Sequence, residues 1–277
     1  MSNPQEKTII IRPNSTKGNI FDEIINSKEL LFYFAWRDFK VRYKQTVIGI
    51  SWAVVKPLIT MIILTIVFGK LAKLPSGNIP YPILVFAAML PWYLFTTILH
   101  DSSHSLIGNA GMINKIYFPR ILLPLSSILV NIVDFVIALV ILFMMMIYYQ
   151  VYPDFKILLL PALLIWASIT AVGSGLIFSA LIVRYRDIKY IIPFIVQLGL
   201  YISPVGFSSS VVPEKWQLIY SINPMVGVIE GFRWGLIGES QMINYYGLAI
   251  SMTVSILLFA SGIYLFQKTE SKFADII

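Results

Sequence analysis

Apolar residues gather in six long stretches: Ile48–Gly69, Tyr81–Leu99, Ile121–Tyr148, Ile157–Val183, Tyr190–Phe207 and Tyr245–Phe266. A helix needs roughly 20 apolar residues to cross about 30 Å of hydrocarbon, and all six reach or approach that length. The alternation over about ten residues that marks a membrane barrel strand is not visible in them. A different pattern stands ahead of the first stretch. Read as a helix, Phe32, Trp36, Phe39 and Tyr43 form one narrow aromatic stripe, with Arg37, Lys40 and Lys44 along its edge. Rings that bury at the acyl boundary, beside cations that face lipid phosphates, predict a helix lying in a membrane surface. The pattern predicts an all-α integral membrane protein in four parts. These are an N-terminal segment over 1–26, an amphipathic interfacial helix over 27–47, a six-helix transmembrane unit over 48–267 and a tail over 268–277. Ser27 is the expected N-cap of the interfacial helix.

Two connections carry structure of their own. In Asp101–Pro119, Leu106, Ile107, Ala110, Ile113 and Ile116 have near-helical spacing, so a short helix is predicted over Ser105–Ile116. The fifth connection, Ser208–Asn244, is too apolar for an ordinary loop. Pro213–Ile222 and Pro224–Leu236 each open with proline at a favoured first-turn position, predicting two short re-entrant helices. Such a segment persists at membrane depth only where protein or a water-filled cavity satisfies its backbone, which places it over the mouth of a pathway.

Composition agrees with a membrane protein. The chain is 57% hydrophobic and 13% charged, with mean hydropathy +0.78. Soluble domains carry about 25% charged residues to wet their surfaces. Fifteen of the 21 Lys and Arg fall before the first stretch, in the second and fourth connections or in the tail; five fall in the odd-numbered connections and Lys56 lies inside a stretch. That asymmetry predicts cytoplasmic N- and C-termini. The net charge of +7 therefore reads as membrane topology rather than nucleic-acid binding. The N-terminus is polar through Ser27 and has no apolar core of a cleavable signal peptide. The absence of cysteine excludes disulfides, thiolate metal sites and a cysteine nucleophile.

Candidate chemistry is sparse. Gly69-Lys70 is followed by leucine at a membrane edge and makes no phosphate-binding loop, so ATP and Mg are expected on a separate polypeptide and no cofactor on this one. His100 and His104 stand at i, i+4, but no third metal ligand lies nearby; a polar helix end is expected there. Lys56 and Asp134 are ionisable groups inside apolar stretches, each costing about 2.5–3.5 kcal/mol at a helix centre, so each needs a partner or water. They are candidates to pair with each other, the alternative being hydrogen bonds within the bundle, including one from Asn131. Glu230 and Arg233, at i, i+3, are expected to form a structural ion pair. Gly173, Ser174, Gly175 and Ser179 form a small-residue face suited to close helix contact.

Several short motifs occur in a fixed order. They are Arg37-Asp38-Phe39-Lys40-Val41-Arg42-Tyr43-Lys44-Gln45-Thr46 with Gly49, Trp52 and Pro57; Pro91-Trp92; Asn109-Ala110-Gly111, Lys115, Phe118-Pro119-Arg120 and Pro124; Arg184-Tyr185-Arg186-Asp187-Ile188; Ser203-Pro204-Val205; Asn223-Pro224-Met225; and Glu230-Gly231-Phe232-Arg233. From Leu30 to Phe266 the chain resembles the permease subunits of polysaccharide-exporting ABC transporters, above all O-antigen export permeases, with capsule and teichoic-acid permeases sharing much of the pattern. The resemblance implies two permease copies forming one channel in the bacterial inner membrane, above two copies of an ATP-binding cassette ATPase. It implies export of an undecaprenyl-pyrophosphate-linked polysaccharide.

It further implies that the interfacial helix, with Trp36, Arg37, Phe39, Lys40, Arg42, Tyr43 and Lys44, meets the ATPase or receives the lipid headgroup. The helix with Asn109, Ile113 and Lys115 is a second coupling element, and the outer helices with Asn223, Pro224, Glu230 and Arg233 cap the exit. No residue is expected to be catalytic. Lys56 departs from the family pattern, which often has an uncharged residue there. Arg37, Lys40, Arg42 and Lys44 concentrate positive charge where a lipid pyrophosphate would arrive. A secondary transporter is the rival within transport, but no inverted repeat is visible. A membrane enzyme acting on lipid-linked sugars would need an acid-base or metal constellation, for which two histidines are a thin basis.

Overall fold

The computed structural model describes residues 20–44, 49–77, 79–238, 244–270 and 273. Residues 1–19, the end of the expected interfacial helix over 45–47 and Lys272 of the tail lie outside the described residues. Among the described residues the only regular elements are helices. Helix α1 (Ile20–Asn26) leads through Ser27 into α2 (Lys28–Lys44), then α3 (Gly49–Leu64), which continues as a π-helix over Thr65–Leu71. Next come α4 (Tyr81–Gly108), α5 (Ala110–Ile113) and α6 (Leu122–Tyr148). After them run α7 (Leu160–Arg184), α8 (Ile188–Ile202), α9 (Glu214–Tyr220), α10 (Pro224–Ile237) and α11 (Tyr245–Glu270).

Among the described residues, five helical segments are long and apolar enough to cross a membrane: Val54–Leu71, Tyr81–Gly108, Leu122–Tyr148, Phe155–Arg184 and Tyr245–Glu270. The chain is thus a multi-pass, all-α membrane protein. The fifth apolar stretch is shorter than its hydropathy suggests. Its helix, α8, has 15 residues and rises about 22 Å, less than the hydrocarbon thickness. The reason is local: a following proline disfavours the helical conformation, and Ser203, ahead of Pro204, is extended at φ −79° and ψ 154°. Ser203–Phe207 therefore form a loop.

The second connection also differs from expectation. Its polar run His100–His104 does not end a helix, because α4 continues unbroken to Gly108. Its side chains are satisfied inside the bundle: Ser103 Oγ donates to the His100 carbonyl of the same helix at 2.8 Å, and Ser102 Oγ donates to the Pro124 carbonyl of α6 at 3.0 Å. The helix expected over Ser105–Ile116 is split at Asn109, leaving only the four residues of α5 beyond it.

α4 is the most enclosed helix, with Ile83, Leu84, Val85 and Phe86 inaccessible or nearly so. α3, α6, α7 and α10 pack around it, and α11 packs outside α7. Connections gather at two ends of the bundle. At one, Phe34 of α2 meets Phe118 edge-on with ring centroids 5.3 Å apart, and Arg120 donates to the Glu270 carbonyl. At the other, Lys156 Nζ lies 5.1 Å from the Trp234 ring and Tyr81 donates to the Gly206 carbonyl at 2.7 Å.

The small-residue face of α7 serves two neighbours. A Cβ on Gly173 would lie 2.6 Å from the Phe259 Cα of α11, and one on Gly175 would lie 2.5 Å from the Ser102 Cβ of α4. Gly173→Leu is therefore expected to push α7 and α11 apart, at a cost of at least about 1–3 kcal/mol. Thermal unfolding of the purified full-length protein measures it, against Gly108→Leu, where a Cβ meets nothing.

Candidate functional site

α2 lies across α6 with Phe34 and Ala35 buried beneath it, while Phe32 and Trp36 of the aromatic stripe face outward. Trp36 stacks on Phe39 with centroids 5.7 Å apart, Phe39 contacts Tyr43 at 4.8 Å, and Lys40 Nζ sits 5.1 Å from the Trp36 ring. Lys40 and Lys44 remain exposed. Arg37 instead turns toward the protein. It pairs with Asp38 at 2.7 Å, lies 5.3 Å from the Phe34 ring and reaches Met112 Sδ of α5 at 3.9 Å. The two elements marked by sequence for contact with a partner thus touch each other.

Arg42, in the last turn of α2, is the hub of a polar cluster. Its Nη2 lies 2.5 Å from Asp101 Oδ2 of α4 and its Nη1 lies 2.8 Å from Asp134 Oδ2 of α6. Nη1 also donates to Asn131 Oδ1 at 3.0 Å, and Asn131 Nδ2 donates to Asp101 Oδ2 at 2.8 Å. Tyr43 donates to the other oxygen of Asp134. A planar guanidinium presents donors in a fork, which lets one side chain hold two carboxylates on different helices. The pairing of Lys56 with Asp134 expected from sequence is not formed, because docking of α2 on α6 brings Arg42 to that carboxylate first. Asn131 joins the cluster by accepting from Arg42 and donating to Asp101, and bonds to neither Asp134 nor Lys56. Lys56 Nζ instead lies over the Tyr93 ring, 5.8 Å from its centroid.

Beside this cluster opens a cavity of about 680 Å³ bounded by α2, α3, α4, α6 and α8. One part is polar, lined by Arg42, Tyr43, His100, Asp101, Asn131 and Asp134. The rest is largely apolar, with Phe86, Leu90, Phe135, Ile192 and Val196, while Lys56, Tyr93 and Gln197 add polar groups. A charged zone continuous with an apolar one suits an amphiphile.

At the opposite end, Asn223 caps α10 by accepting from Met225 N at 3.0 Å, ahead of Pro224 in the first turn. Its Nδ2 donates to Ser203 Oγ at 2.9 Å, tying the cap to the loop after α8. Arg233 is 1% exposed and donates to three backbone carbonyls: Leu84 at 3.1 Å, Phe207 at 2.8 Å and Val205 at 3.0 Å. The expected contact pair with Glu230 is not formed, since the guanidinium fork is taken up by these carbonyls. Burial pushes the Glu230 carboxyl above its ordinary range, offset in part by a Ser209 hydrogen bond and the Arg233 charge. Gly206 in the clasped loop has no room for a Cβ, which would lie 2.5 Å from the Phe68 ring of the π-helix.

The family model for the ABC-2 type transporter matches residues 29–237, spanning α2 through α10. The chain belongs to the ABC-2 type transporter family. Among its relatives is the O-antigen export system permease protein RfbA of Klebsiella pneumoniae, 28% identical over 90% of this chain and 95% of that protein. RfbA of Myxococcus xanthus is 23% identical over 92% and 98% of the two chains. The polysialic acid transport protein KpsM of Escherichia coli is 24% identical over 84% and 91%.

Other marked residues of this ABC-2 transporter fall into place around the same end. Asn109 ends α4, its Nδ2 donating to the Ser105 carbonyl at 2.8 Å; Ile113 is buried and Lys115 exposed. His100 and His104 stack at 4.5 Å, and no group of three potential metal ligands occurs among the described residues. Asp101, Tyr93 and Gln197 were not singled out by sequence as site residues. Only Asp101 carried a signal, as an acid eight residues along the helix from a tyrosine and one turn from serines, and nothing in that spacing points to Arg42.

Proposed function

We propose that this ABC-2 permease exports an undecaprenyl-pyrophosphate-linked polysaccharide of the O-antigen type across the bacterial inner membrane. The observation that carries this is near full-length similarity to three polysaccharide export proteins, joined to a cavity with charged and apolar zones. The 28% identity to RfbA of Klebsiella pneumoniae, against 24% to KpsM, and the larger share of this chain matched by both RfbA proteins favour O-antigen over capsule. Two copies of the chain form the channel, and two ATP-binding cassette ATPase subunits beneath it bind ATP and Mg and drive transport. Each copy contributes six membrane helices, α8 with the loop that follows it joining the five longer spans, and keeps both termini in the cytoplasm. α2 lies at the cytoplasmic surface beside α5 and meets the ATPase. The exposed Trp36 and Lys40 face lipid, α9 and α10 cap the exit, and membrane lipids cover the outward apolar faces.

ATP-driven movement of the partner would act on α2. Because Arg42 ties α2 to α4 and α6, that movement reaches the cavity walls directly. The test is co-expression with the ATP-binding cassette ATPase of an O-antigen export system in a strain deleted for its own O-antigen permease and ATPase. Surface O-antigen is expected to return, and to stay absent when either protein is omitted. Restoration without any ATPase would contradict the reading.

A further inference from the structure

The cavity holds two cations, and they are not equivalent. Arg42 is saturated by Asp101 and Asp134, so an incoming anion would have to displace carboxylates to reach it. Among the described residues Lys56 has no carboxylate within 4.0 Å, and its ammonium rests on Tyr93. Tyr93 precedes Asp101 by eight residues on α4, about 12 Å further along the helix, so Lys56 sits beyond the Arg42 layer. The ring under the ammonium is held in place: Tyr93 donates to Thr60 Oγ1 at 2.9 Å, and Thr60 donates in turn to the Lys56 carbonyl at 3.0 Å. One turn of α3 thus fixes both the lysine and the surface it lies on. A cation–π contact satisfies one face of an ammonium and leaves its remaining donors to the cavity. Within a span, a lone ammonium costs about 2.5–3.5 kcal/mol unless a counter-charge arrives.

Resting on the export reading above, we propose that Lys56, with Tyr93 beneath it and Gln197 lining the same cavity, binds a phosphate group of the amphiphilic substrate beyond the Arg42 layer. Arg42 is then a strut between helices, and Lys56 is the group that selects an anionic headgroup. Gln197 supplies a neutral donor from α8, and Phe86, Leu90 and Val196 provide apolar surface on the same cavity.

The test is binding of a fluorescent polyprenyl pyrophosphate, and of the matching uncharged polyprenol, to the full-length permease in lipid nanodiscs. Wild type is expected to prefer the pyrophosphate. Lys56→Gln is expected to weaken pyrophosphate binding about tenfold, the loss of a charge-assisted contact, with polyprenol binding unchanged. Lys56→Arg is expected to keep the preference. Competition by inorganic pyrophosphate separates the phosphate itself from the lipid: it is expected in wild type and lost in Lys56→Gln. The proposal is overturned if Lys56→Gln binds the pyrophosphate lipid as wild type does, if it loses both lipids equally, or if inorganic pyrophosphate competes equally in both proteins. A wild-type protein with no preference for the pyrophosphate over polyprenol would instead overturn the substrate reading, and this site with it.

Discussion

Arg233→Met is expected to be among the most damaging single substitutions in this protein. The side chain is 1% exposed and holds the carbonyls of Val205 and Phe207, both in the loop after α8, and that of Leu84 in α4. Leu84 keeps its place in the helix ladder, but the two loop carbonyls lose their donor. Each buried polar group left unmatched costs about 1–3 kcal/mol. The loop would keep its Asn223–Ser203 tie to α10 but lose both bonds from Arg233, which loosens the seating of Gly206 against Phe68. A loss of about 3–5 kcal/mol follows, enough to remove most folded protein. Arg233→Lys should recover only part of this, because one ammonium cannot reproduce the fork. Glu230→Gln should stay near wild type, since Glu230 acts on Arg233 through space. Thermal unfolding of the purified full-length variants gives the order.

Arg42→Ala is expected to cost a similar amount by a different route. It leaves Asp101 and Asp134 charged, buried in part and without their shared cation, which costs about 3–5 kcal/mol for a broken buried pair. The distinguishing result is non-additivity. Combining Arg42→Gln with Asp101→Asn and Asp134→Asn removes all three charges together, and should restore much of the stability that the single change loses. Export should not return with it, because α2 would no longer be bonded to α4 and α6. Stability and surface glycan measured on the same set separate the two roles. Parallel recovery of both would show that the cluster is structural only.

Much of this architecture was legible from apolar length alone. The bounds of α6, α7 and α11 lie within a few residues of the stretches that predicted them, because a lipid-facing helix must be apolar throughout. Pro224 announced α10 through its first-turn preference, whereas Pro213 stands just ahead of α9 as its N-cap. α8 was overestimated because Val205 and Phe207 are as apolar as a span, while Pro204 determines where the helix stops. The unbroken run of α4 was hidden by His100–His104, whose polarity resembles a loop; Ser103 and His104 bond back to their own helix, while Asp101 reaches α2 and Ser102 reaches α6.

Sites were harder to read than elements. Asp134 was recognisable as a charge needing a partner, yet its partner is 92 residues away on a helix that folds back across the bundle. Lys56 was the nearer candidate by hydropathy, since both lie inside spans, and tertiary docking of α2 overrode that. Glu230 and Arg233 share a helix face at i, i+3, and the spacing suggested a pair. Spacing does not reveal that an adjacent loop offers three backbone acceptors, counting that of α4, at the same point.

The cavity is the centre of this account, and the absence of cysteine makes it directly testable. Thr97 lines it, half-buried on α4, and Thr97→Cys changes side-chain volume little. In cells carrying the permease and its ATPase, modification of the introduced thiol with a bulky maleimide is expected to stop O-antigen export. The same treatment of Met252→Cys, on the exposed face of α11, should leave export intact. Export continuing at the unmodified rate with the thiol at position 97 fully labelled would contradict passage of the substrate through this cavity.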